Sequence, residues 1–63
     1  MFQVNVGYMP TKEAWSYKEA IEYLQELNPD WELVWGSLDV DSEEWIIVDS
    51  QGRTVNTATI RTV

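Results

Sequence analysis

Ser16-Tyr17-Lys18-Glu19-Ala20-Ile21-Glu22-Tyr23-Leu24-Gln25-Glu26-Leu27 is the one stretch of this 63-residue chain that repeats with a helical period. Ser16 and Glu19 are spaced as a capping box, in which the serine oxygen accepts the amide of Glu19 and the glutamate reaches back to the amide of Ser16. Trp15 and Ala20 stand at the positions of a hydrophobic staple around that cap. Tyr17, Ala20, Ile21, Leu24 and Leu27 follow the i, i+3, i+4, i+7 rule and are expected to face a core. Asn28-Pro29 ends the pattern, because proline cannot continue a helix. Glu19, Glu22 and Glu26 are left on the outer face, with only Lys18 as a nearby countercharge.

Everything outside this stretch reads as strand and turn. Phe2, Val4, Val6 and Tyr8 alternate with Gln3, Asn5 and Gly7, the period of a strand with one buried face. Met9-Pro10-Thr11 closes it as a turn. Trp31, Leu33 and Trp35 alternate with Glu32, Val34 and Gly36 as a second strand. It continues through Leu38 and Val40 after a bulge near Gly36-Ser37, where the apolar parity changes. Asp41-Ser42-Glu43 reads as a turn, followed by a third strand from Glu44 to Asp49. Trp45, Ile46, Ile47 and Val48 make that strand apolar on both faces, as in a strand covered on both sides. Ser50-Gln51-Gly52 is a hairpin loop, and Arg53 to Val63 is a threonine-rich, β-branched last strand.

The expected fold is therefore α+β: a single domain over 1–63 in the order β-α-β-β-β, with one helix packed on an antiparallel sheet of about four strands. The last three strands form a meander by their short turns, and the first joins one edge. One helix covers only one face of such a sheet. The two-sided third strand then requires either a sheet that curls closed or a second molecule over the bare face, and the latter predicts a homodimer.

Composition restricts function more than it specifies it. Cysteine and histidine are both absent, which removes disulfides and nearly all zinc, haem and iron–sulfur chemistry, so no cofactor is expected. No run approaches the roughly 20 apolar residues of a membrane span. Met1 to Tyr8 has no basic leader, so no signal peptide is expected, and the lack of cysteine fits a cytoplasmic location. The net charge is −7, which repels nucleic acid and anionic membranes and attracts basic surfaces. The same charge also serves solubility or adaptation to a salty cytosol.

Ten of the eleven acids lie between Lys18 and Arg53, a run with no other basic residue, interleaved with Trp31, Trp35 and Trp45. Asp39-Val40-Asp41-Ser42-Glu43 opens like a calcium loop, but Glu44 stands where such a loop needs glycine and Ser50 where it needs glutamate. Paired carboxylates are plentiful. A chain with one helix has little room for the cleft that acid–base chemistry on a sugar requires, and nucleophilic residues lack a neighbouring base. An enzyme is not expected. Tryptophans stacking on single-stranded bases would need a basic groove, which four basic residues do not supply. Core packing accounts for at least two of Trp31, Trp35 and Trp45, and the remaining one suits an interface anchor.

The expected function is a small acidic protein-binding module. Its partner is a basic protein surface, contacted through Glu19, Glu22, Glu26, Asp39, Asp41, Glu43 and Glu44. Carboxylates on a rigid scaffold can stand in for phosphates and occupy a nucleic-acid-binding site, so the chain would act as a DNA mimic. In size and charge it resembles the virus-encoded inhibitors of host nucleases and restriction systems that work this way. The alternative is a passive structural, assembly or dimerisation module of a small acidic protein.

Overall fold

A computed structural model describes residues 1–63. The chain runs β1 (Phe2–Val6), β2 (Lys12–Ala14), α1 (Tyr17–Glu26), β3 (Glu32–Leu38), β4 (Ser42–Val48) and β5 (Thr54–Thr62). All five strands form one antiparallel sheet in the order β2-β1-β5-β4-β3. This is the expected α+β class, with the β3-β4-β5 meander in place and β1 added beside β5. The count and order differ from expectation. A fifth strand, Lys12–Ala14, folds back on Phe2–Val4 before the helix begins. Three residues are too few to show a period of two, and their pairing depends on the edge that β1 presents.

The helix forms where its spacing places it. Ser16 has extended backbone, and its hydroxyl accepts the Glu19 amide at 3.1 Å. The reciprocal half differs from the expected box: the Glu19 carboxylate accepts the amide of Trp15, at 3.2 Å, rather than that of Ser16. Trp15 is also 79% exposed, so its ring adds little to a staple with the buried Ala20.

Strand register assigns every side chain to a face. Val4 pairs with Ile60, Val6 with Ala58, Trp45 with Ala58, Ile47 with Leu33 and Phe2 with Ala14, so all these share one face. α1 packs against that face through Ala20 and Leu24. The eight fully buried residues are Val4, Val6, Ala14, Ala20, Leu24, Ile47, Ala58 and Ile60, and the half-buried Ile21, Tyr23, Leu27, Trp31, Leu33 and Trp45 close around them. Tyr17, expected in the core, stays 42% exposed at the helix start and meets Phe2 edge-on, with ring centroids 6.1 Å apart.

The opposite face carries Gln3, Asn5, Thr57 and Thr59 with Val34, Ile46 and Val48. The two edge strands, β2 and β3, do not pair with each other, so the sheet is open rather than curled closed. The bulge expected near Gly36-Ser37 lies between Trp35 and Ser37. Val40, expected to extend the strand, instead sits 99% exposed in the β3–β4 turn, whereas Ser42 and Glu43 belong to β4. No helix is long and apolar enough to cross a membrane.

Candidate functional site

The β3–β4 turn folds back onto the end of the sheet where the helix begins. Its neck is closed by the amide of Asp39 on the carbonyl of Ser42, at 2.8 Å, and it is tied to β5 by the Thr62 amide on the Asp41 carbonyl, at 2.9 Å. Within the turn, the Asp39 carboxylate accepts the amide of Val40 at 2.7 Å. Between this turn and the Tyr17 end of α1 lies a cavity of about 220 Å³. Buried Ile60 and half-buried Phe2 contribute its apolar wall with Tyr17, and exposed Leu38 and Val40 stand at its mouth.

Glu43 is the carboxylate inside this cavity, half-buried on the helix side of the sheet through its pairing with Ile60. The Trp45 indole N–H donates to Glu43 Oε1 at 3.4 Å. Partial burial, and after it the nearby Glu43 carboxylate, push the Tyr17 phenol up to about 12. A carboxylate has about four lone-pair sites, so Glu43 keeps acceptor capacity after the Trp45 contact. Asp39 and Asp41 are exposed at the rim. Arg61 is the one cation within 4.0 Å of them, its Nε 3.8 Å from Asp41 Oδ2 with both side chains more than half exposed, a pair worth little in water.

The seven acids expected to form one surface separate into three groups. Glu22 and Glu26 are exposed on α1 as expected, while Glu19 is partly occupied by its cap to Trp15. Asp39, Asp41 and Glu43 gather at the cavity beside the start of the same helix. Glu44, paired with Thr59, faces the opposite side of the sheet. Adjacent strand residues point to opposite faces, so reading Glu43 as strand rather than turn would have parted it from Glu44. No three carboxylates come close enough together to hold a metal ion.

Sequence reasoning missed the apolar half of this site. Phe2 and Ile60 lie nearly sixty positions apart in sequence and meet only through β1–β5 pairing. Among the tryptophans, Trp31 and Trp45 are half-buried against the core and Trp35 is 49% exposed, as expected for two packed rings and one available one. The most exposed is Trp15, which follows β2 on the cavity end of the sheet. Comparison with protein-family models, with curated proteins and with solved structures finds no match to this chain.

Proposed function

We propose that this chain is a stoichiometric binding module that docks on a basic, nucleic-acid-binding surface of another protein and inhibits it by standing in for the nucleic acid. The observation that carries this reading is the lack of internal neutralisation. Asp41 and Asp49 have basic partners, at 3.8 and 3.5 Å, and the other nine of the eleven carboxylates have none within 4.0 Å. Glu19, Glu22 and Glu26 sit on α1, and Asp39 and Asp41 on a turn tied to β5, so these lose little freedom on docking. Glu19, Glu22 and Glu26 span about 10.5 Å of helix, or about one charge per 5 Å. One strand of DNA carries a phosphate about every 3.4 Å. The helix alone is thus sparser than a strand, and Asp39, Asp41 and Glu43 beside its start are needed to raise the density.

Catalysis has no part in this proposal. The test is binding to a purified basic nucleic-acid-binding protein recovered from the native host. The complex should weaken steeply with salt, be displaced by added DNA, and lose at least about tenfold in affinity in the Glu22→Lys/Glu26→Lys double variant. Retention that is indifferent to salt and to DNA refutes the reading.

A second reading, self-association as an assembly or dimerisation module, is favoured by the face opposite α1. There Val34, 43% exposed, pairs with half-buried Ile46, and Val48 follows on the same face. The charge of −7 per copy opposes it. Sedimentation at micromolar concentration returning only the 7.4 kDa mass of one chain disposes of it.

A further inference from the structure

We propose that the cavity between the β3–β4 turn and the start of α1 receives one arginine side chain of the basic partner, its guanidinium toward Glu43 and its stem against Phe2, Tyr17 and Ile60. This rests on the reading of a basic partner and adds which group of that partner is gripped. Size is the first argument. Pockets for drug-sized ligands start at about 300 Å³, and 220 Å³ is below that, which suits a single side chain.

Lining is the second argument. Half of the ten lining residues are hydrophobic, three carry carboxylates, and none is basic. An anion is repelled there, and a purely apolar group would strip water from Glu43 without returning a hydrogen bond. A cation on a hydrocarbon stem satisfies both halves of the lining. Arginine fits better than lysine because its planar cation is more weakly hydrated, stacks on aromatic rings and offers several donors in a fixed fork. Glu43 is half-buried and already accepts the Trp45 indole N–H at 3.4 Å, so the acceptor loses less freedom than an exposed carboxylate when the cation arrives. Asp39 and Asp41 at the mouth add attraction at longer range.

The test uses the isolated 15N-labelled chain with N-acetyl-arginine methylamide, and with its citrulline and lysine counterparts. Citrulline keeps the shape of arginine without the charge. Saturable shifts are expected at the amides of residues 39 to 43 and at the Trp45 indole N–H, with the citrulline and lysine compounds at least about tenfold weaker. Glu43→Gln should weaken the arginine compound by about tenfold while the spectrum stays dispersed, and Asp39→Asn at the exposed rim should weaken it less. Glu22→Gln should change nothing. Equal binding of the citrulline compound shows an apolar cleft, equal binding of the lysine compound shows a cation site without arginine preference, and unsaturable shifts along α1 show general screening. Each of these overturns the proposal. None of them touches salt-dependent, DNA-competed binding of a basic protein, so failure of the arginine site and failure of the proposed function are separable.

Discussion

Trp35 on β3 and Trp45 on β4 stand directly opposite each other in register, their ring centroids 5.2 Å apart and their planes at 86°. Edge-to-face packing of this kind contributes about 0.5–1.5 kcal/mol beyond the area it buries. The two rings are not equivalent, because Trp45 is half-buried against the core and orients Glu43, while Trp35 lies on the edge strand and is 49% exposed. Trp45→Ala is expected to cost about 2–3 kcal/mol and Trp35→Ala about 1 kcal/mol, read from urea unfolding followed by circular dichroism. Equal losses would mean that the pair, rather than the core contact of Trp45, dominates.

Gly36 sits at the β3 bulge with no room for a side chain. A Cβ there would lie 2.7 Å from the backbone oxygen of Glu44 and 3.3 Å from its carbonyl carbon. Backbone atoms of a paired strand cannot yield without opening the β3–β4 ladder, so Gly36→Ala should cost about 1–3 kcal/mol. Gly52 differs in kind: its Cβ would meet nothing within 4 Å, but its φ is +78°. Gly52→Ala should cost about 1–2 kcal/mol from left-handed strain alone, and Gly52→Asn less. Comparing urea midpoints of the three variants separates contact from conformation.

The two ends of α1 are electrostatically unlike. The start is capped by Ser16 and carries Glu19, whereas the last turn has no basic residue and ends on Glu26. Ser16→Ala should destabilise by about 1 kcal/mol through loss of the cap. Glu26→Lys should stabilise by about 0.3 kcal/mol or more at low salt, because a cation suits the negative end of the helix dipole. Thermal melts at low and high salt test both, and only the second effect should fade with salt.

Tyr17 makes stability pH-dependent at the alkaline end. Its phenol ionises near 10 when unfolded and about 12 when folded, so the folded state holds the proton more tightly. That contribution is complete below pH 10 and is lost as pH rises from 10 through about 12. In Tyr17→Phe the extra decline over this window should disappear, as measured by urea midpoints at stepped pH. An unchanged profile would mean that neither burial nor Glu43 holds the phenol in its neutral form.

Local chemistry made much of this fold legible. The helix limits follow from Ser16 and Asn28-Pro29, the bulge from the parity change at Gly36, and the last hairpin from Gly52, because each depends on residues within one turn or one strand. The same holds for the outward positions of Glu22 and Glu26, which helical spacing dictates. What lay outside its reach depended on partners distant in the chain. Lys12–Ala14 is a strand only because Phe2–Val4 offers it an edge. The sheet stays open because β2 and β3 end up at opposite edges of the sheet, unpaired with each other. The cavity exists only because Phe2, Tyr17, Glu43 and Ile60, spread over nearly the whole chain, are brought to one end of the sheet by strand order. Which acids lie together was likewise a tertiary matter: register turned Glu43 toward the helix and Glu44 away from it. Residue types and short spacings set the elements and the total charge, while the pairing of remote strands decided where that charge lies and what it surrounds.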